Sequence, residues 1–143
     1  MGEQKVKTIE GAADGKGQTK SAGKRIKRKV PQGRIYVQST YNNTIITVTD
    51  PVGQVLGWGS AGLTGFKGSK KSTPYAAQRT MEETMGKLKN FEIKQVDVFI
   101  KGVGSGRDSA IRALQSSGVE VLSIQDMTPI RHGGVRPKKV RRV

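Results

Sequence analysis

The chain is 143 residues long and sets 26 Lys and Arg against 11 Asp and Glu, a formal charge of +15 with its single His neutral. That length suits one domain of ordinary size with an added tail or two. The absence of Cys excludes a disulfide scaffold, cysteine-based zinc sites and thiol catalysis, a lone His excludes a multi-histidine metal site, and no apolar run nears the roughly 18 residues of a membrane helix.

Residues 1–33 hold nine basic and three acidic residues, are rich in Lys, Gly, Thr and Ser, and space their few aliphatics with no period. Such a segment is expected to be a disordered extension. Its densest block, 23–31, contains Lys24, Arg25, Lys27, Arg28 and Lys29, in the manner of a nucleic-acid arm or a localisation signal. No apolar segment follows these charges, so a secretory signal is not expected, and Glu3, Glu10 and Asp14 speak against a transit peptide.

From Arg34 the pattern changes. RIYVQST (34–40) alternates, with Ile35 and Val37 on one face, and predicts a strand. Tyr41-Asn42-Asn43 predicts a turn, because Asn tolerates left-handed backbone angles. TIITVTD (44–50) is β-branched almost throughout and predicts a second strand. Asp50-Pro51-Val52-Gly53 is a tight-turn signal before a third strand, QVLGWGS (54–60). Residues 61–73 predict a loop. A helix begins after it, with Thr73 as cap and Pro74 in the first position. Ala77, Met81, Met85 and Leu88 supply its apolar stripe, and Asn90 is the expected stop. IKQVDVFIK (93–101) predicts a fourth strand facing Val96, Val98 and Ile100 inward. The glycines of GVGSGR (102–107) lead into a helix at about 106–117, with Ile111 and Leu114 inward and Gly118 ending it. VEVLSIQDM (119–127) predicts the fifth strand. The order βββαβαβ implies a single α/β layered domain over residues 34–127. Its mixed five-stranded sheet is an antiparallel meander extended by two right-handed crossovers, with helices expected to cover it.

Residues 128–143 form an extended basic arm. Two prolines and Gly133-Gly134 keep it from folding on itself, and it carries six basic residues and no acid. The body adds only eleven basic against eight acidic residues, so most of the excess charge lies in the two extensions. Charge of one sign gathered there points to a polyanionic partner. An arm of this kind can thread between RNA helices and contact phosphates, with His132 as a hydrogen-bonding member rather than a catalyst.

Within the body, the loop 61–73 combines glycines, Lys67, Lys70 and Lys71 with a following helix N-terminus, a composition suited to phosphate. No acid occurs from Ala61 to Met81, and the spacing of a nucleotide P-loop occurs nowhere in the chain. GVGSGR sits between strand and helix as a dinucleotide fingerprint does, but Arg107 stands where the third Gly belongs. Arg107 and Arg112 suit a nucleic-acid phosphate better, and a purely structural turn is the other reading. A metal-dependent nuclease would need paired strand-borne acids. Asp97 and Asp126 would pair only through a fortunate register, and each is readily a surface or salt-bridged residue. Trp58 is expected in the core or at a sheet edge rather than as a base-stacking platform. No cofactor and no catalytic residue is expected.

YNNTIITVTD (41–50), GWGSAGLTGFKGSKKSTPYAAQ (57–78), FIKGVGSGRDSAIRAL (99–114) and DMTPIRHGGVRPKKVRRV (126–143) together resemble the signature stretches of the small-subunit ribosomal protein eleven family. The short connection from Lys101 to Arg107 is similar to its bacterial and organellar branch. The resemblance implies a domain of ribonuclease-H-like topology without catalysis, in a structural constituent of the small subunit in the cytoplasm or an organelle. It further implies binding to platform rRNA and bridging of rRNA helices near the cleft where messenger RNA pairs with the rRNA 3′ end. The implied protein neighbours are small-subunit proteins seven and eighteen. The implied rRNA contacts are Asn42, Asn43, Lys67, Lys70, Lys71, Arg107 and Arg112, and in the arm Arg131, His132, Arg136, Lys138, Lys139, Arg141 and Arg142. Family members usually read Pro-His-Asn-Gly-Cys-Arg-Pro-Pro near the arm's start. Here Gly133 replaces an Asn, trading a side-chain contact for flexibility. The rival from another class is a free nucleic-acid-binding regulator, for which no helix-turn-helix or zinc module is evident.

Overall fold

The computed structural model describes residues 29–136 and 138–139. The expectations for residues 1–28, and for Arg141 and Arg142, lie outside the described residues. Five strands and two helices follow in the expected order: β1 (Gln32–Ser39), β2 (Thr44–Thr49), β3 (Val55–Ser60), α1 (Pro74–Leu88), β4 (Gln95–Lys101), α2 (Gly106–Ser116) and β5 (Glu120–Asp126). No described helix is long and apolar enough to cross a membrane.

The strands lie in the order β3-β2-β1-β4-β5. β2 runs antiparallel to β1 and β3, whereas β4 is parallel to β1 and β5 is parallel to β4. The crossovers from β3 to β4 and from β4 to β5 therefore move across the sheet in the same direction. Two right-handed crossovers with one direction of travel set their helices on one face. So α1 and α2 pack against each other and share one core with the inward strand positions. The expectation that helices cover the sheet is met on that face alone.

The alternation read from β1, β2 and β4 does put Ile35, Val37, Ile46, Val48, Val96, Val98 and Ile100 in the core. Opposite them lie Ala77, Met81, Met85 and Leu88, as the helical spacing requires. Burying each of these large aliphatics fully contributes about 1.5–3 kcal/mol. In α2 the deep positions are Ala110, Ala113 and Leu114, with Ile111 at the core's margin. Small residues there let the helices approach closely. On β3, Gly57 and Gly59 serve the same end, since a Cβ on Gly57 would lie 2.8 Å from a Leu88 methyl and one on Gly59 would strike the Thr84 hydroxyl. The buried hydroxyls of Thr80 and Thr84 donate back along α1 to the carbonyls of Ala76 and Thr80, each at 2.7 Å, so neither is left unpaired.

Several boundaries differ from expectation for local reasons. β1 begins at Gln32, inside the expected extension, because Gln32 and Gly33 still pair with Gln95 and Val96 of β4. The loop 61–73 closes with a 3₁₀ turn at Gly68–Ser72. Helix α1 ends at Leu88, ahead of Asn90; a 3₁₀ turn over Lys89–Phe91 follows and is closed by Glu92, whose φ of 52° is left-handed.

Candidate nucleic-acid interface

β1, β3, β4 and β5 run parallel to one another, so their carboxyl ends and the start of β2 share one end of the sheet. From that end emerge the Asn42-Asn43 turn, the lysine loop, the glycine turn and the arm. The segments singled out separately along the chain thus form one rim, where open α/β sheets generally place ligands. They are also tied to one another. The Ala61 N–H donates to the Thr44 carbonyl (3.0 Å), the Gly104 N–H to the Ser39 carbonyl (3.1 Å), and the Ser105 hydroxyl to the Ser72 carbonyl (2.9 Å).

In the first turn the two asparagines take different parts. Asn43 is half-buried and its side-chain oxygen accepts from the Thr44 N–H (2.9 Å), so it shapes the turn, whereas Asn42 is exposed at its tip. The Thr40 hydroxyl accepts the amides of both Asn42 and Asn43, fixing the backbone around them.

The lysine loop carries its charge on a formed scaffold. Lys67 and Lys70 are exposed and Lys71 is half-buried. None of the three has a carboxylate partner among the described residues. Thr73 caps α1 through its hydroxyl, which accepts from the Ala76 N–H (3.3 Å), and Pro74 removes another amide at that end. The helix N-terminus is thereby largely occupied, and an anion here is met chiefly by the lysines. Sequence reasoning missed one feature of this loop. Phe66 and Tyr75 form an edge-to-face pair across it, with centroids 5.9 Å apart, and Tyr75 is exposed beside the lysines. The signal was present, as one aromatic lies on each side of the lysine cluster.

The glycine turn is built for close packing. Gly102 has a φ of 105°, and a Cβ there would run into the Ser39 carbonyl. One on Gly104 would meet the Thr40 carbonyl, and one on Gly106 would lie 2.5 Å from the Thr44 hydroxyl and 2.8 Å from Ala77. The glycines bring α2 onto the β1–β2 turn, which is the structural reading of GVGSGR.

Arg107 is a member of a polar cluster at the root of the arm. It donates to the Gly102 carbonyl (2.7 Å) and pairs with Asp126. Asp126 also accepts from the Thr128 N–H (2.9 Å) and hydroxyl (2.6 Å), while the Gly102 N–H donates to that hydroxyl (3.1 Å). Sequence reasoning had no means of pairing Arg107 with Asp126, nineteen positions apart. The two bonds from Thr128, then the Arg107 guanidinium, hold the Asp126 carboxyl at about 2, below its ordinary 3.8. Because this value is lowered on folding, the latch is complete above the ordinary value and is lost as pH falls through about 2. The Thr128 amide resonance should therefore titrate near that lower value, and Asp126→Asn should abolish the titration. A midpoint at the ordinary carboxylate value would show that the latch does not form.

Arg112 is exposed midway along α2, roughly 9 Å beyond the helix start at 1.5 Å per residue, so the fold does not bring it to the rim. Beyond the latch, Arg131, His132, Arg136, Lys138 and Lys139 are all exposed. Asp97 lies opposite Ser123, whose hydroxyl it accepts at 2.6 Å, while Asp126 lies opposite Ile100. Three positions, about 10 Å, separate the two acids along the strands. The register thus does not supply the carboxylate pair a nuclease would need. Trp58 lies on the edge strand β3 and is exposed, the edge placement expected of it.

A family model described as ribosomal protein S11 matches residues 33–142. Among curated proteins, the chain is similar to those named small ribosomal subunit protein uS11 from Borreliella burgdorferi, Borreliella afzelii and Borrelia garinii subsp. bavariensis. Each is 58% identical over 120 residues, covering 84% of this chain and 92% of the relative.

Proposed function

The chain belongs to the ribosomal protein S11 family, proteins of the small ribosomal subunit, and from that membership we propose that it binds platform rRNA through the carboxyl end of its sheet. The observation that carries this is the convergence on one rim of three lysines without carboxylate partners among the described residues, the exposed Asn42 and the root of a cationic arm. Lys67, Lys70 and Lys71 contact phosphates there. Arg131, Arg136, Lys138, Lys139, Arg141 and Arg142 extend the contact beyond the body, with His132 hydrogen-bonding along the same path. Arg107 acts through the latch that directs the arm, and Asn43 by holding Asn42 in place. Arg112 contributes a contact on the flank of α2.

On this reading the folded body, which begins with β1 at Gln32, carries the arm 128–143 from its rim, and the basic residues ahead of β1 add to the cationic charge. Family membership is the support for the finer part of the reading, bridging of rRNA helices beside the messenger-RNA cleft with small-subunit proteins seven and eighteen as neighbours. It also fits residence in a cytoplasmic or organellar ribosome, and the role is structural rather than enzymatic.

Replacing Lys67, Lys70 and Lys71 together by Gln tests the reading. Each lost phosphate contact lowers the slope of log affinity against log salt by about 0.9, so a filter-binding series on the full chain should show a decrease of about 2.7. The melting temperature should move by less than ~2 °C, because none of the three ammonium groups has a carboxylate partner among the described residues. An unchanged slope would remove the loop from the interface, and a large thermal loss would make it structural.

A further inference from the structure

With both helices on one face, the other face of the sheet carries no layer among the described residues. Register lays a row across it, Trp58 opposite Thr47, Thr47 opposite Tyr36, and Tyr36 opposite Phe99. The Tyr36 and Phe99 rings are stacked, with centroids 5.1 Å apart and planes 16° from parallel. Beside this stack lies a cavity of about 230 Å³, walled by Tyr36, Phe99 and Met127 and bordered by Gln38 and Lys101.

We propose that this cavity receives one unstacked nucleotide of the bound RNA. The inference rests on the RNA-binding reading above and adds a second kind of contact to it. Three observations select this occupant. Among the described residues the lining carries one cation and no anion, which matches a phosphodiester and repels no part of it. Its lining is mainly apolar and includes two aromatic rings, while Gln38 offers an amide, matching a base with apolar faces and a hydrogen-bonding edge. At about 230 Å³ it is on the scale of one base and too small for a folded element. The cavity is also continuous with the root of the arm, since Met127 directly precedes Thr128 and its N–H donates to the Ile100 carbonyl (2.8 Å). A strand held by the arm passes this opening. Duplex RNA keeps its bases stacked and has none to insert, so the site reads single-stranded segments.

The test uses the full chain and two probes, an oligouridylate of about ten nucleotides and an RNA duplex of similar length, titrated by fluorescence anisotropy at one salt concentration. Replacing Tyr36 and Phe99 together by Leu should weaken oligouridylate binding about tenfold, the usual effect of losing one base–aromatic stack, and leave the duplex within about twofold. Met127→Glu, at an exposed position that the core does not use, should act in the same direction even if the double substitution disturbs the sheet. No loss on the single strand, or equal losses on both probes, overturns the proposal. So does normal RNA binding by variants that fail to enter a reconstituted subunit, because the face would then be a protein contact. A wild-type chain that binds neither probe would instead sink the RNA-binding reading itself.

Discussion

Removing residues 131–143 should lower rRNA affinity by about a thousandfold or more at ~50 mM salt while the sheet and helices stay folded. The segment holds six cations, Arg131, Arg136, Lys138, Lys139, Arg141 and Arg142. If each neutralises one phosphate, its counterion is released to the solvent, and the entropy of that release shrinks as bulk salt rises. Six contacts change the salt slope by about five, so the gap between full-length and truncated chains should contract by about a thousandfold between ~50 and ~200 mM salt. The fold should be indifferent, because the described arm residues from Arg131 onward are exposed and none belongs to the core. Filter binding across that salt range, with a melting curve for each chain, measures both parts. Equal slopes would mean that the arm does not reach phosphate, however strongly its composition suggests it. The effect should exceed that of the lysine loop for a simple reason, since twice as many cations are removed.

The sequence was most informative where side chains recur. The alternation of Ile35, Val37, Ile46, Val48, Val96 and Val98 reports a face turned from water, and the spacing of Ala77, Met81, Met85 and Leu88 reports a helical stripe; all are buried as read. Thr73 and Pro74 act within one turn, so the start of α1 was also legible. What escaped was the information carried by missing side chains. Gly57, Gly59, Ala110 and Ala113 matter for what they admit, and their neighbours are known only once the helices are in place. Glu92 escaped for a related reason, as a left-handed residue without glycine's signature. The rim was legible in its parts but not as a whole, because the glycine turn reads either as a phosphate site at a helix start or as a structural turn until Ser39, Thr40 and Thr44 are seen beneath it.

Those two readings of the glycine turn predict opposite outcomes for Gly102→Ala. If the glycine admitted a phosphate, the substitution would weaken RNA binding and leave the free protein stable. The geometry requires the reverse order of effects. A φ of 105° is strained for any residue with a Cβ, and here that atom would also collide with the Ser39 carbonyl, a backbone group inside the β1 ladder that cannot swing aside. Strain and collision together should cost about 3 kcal/mol or more. For a body of this size each kcal/mol lowers the melting temperature by about 4–8 °C, so a fall beyond ~10 °C is expected. Gly86 supplies the opposite sign within the same fold. It lies inside α1 with open space where a Cβ would go, so Gly86→Ala should stabilise by about 0.5–1 kcal/mol through the unfolded chain's lost freedom and the helix's better propensity. Thermal unfolding of both variants in the full chain decides the matter. A Gly102→Ala protein that melts like its parent yet binds rRNA poorly would return the turn to the phosphate reading, and would mean that α2 can leave the β1–β2 turn without cost.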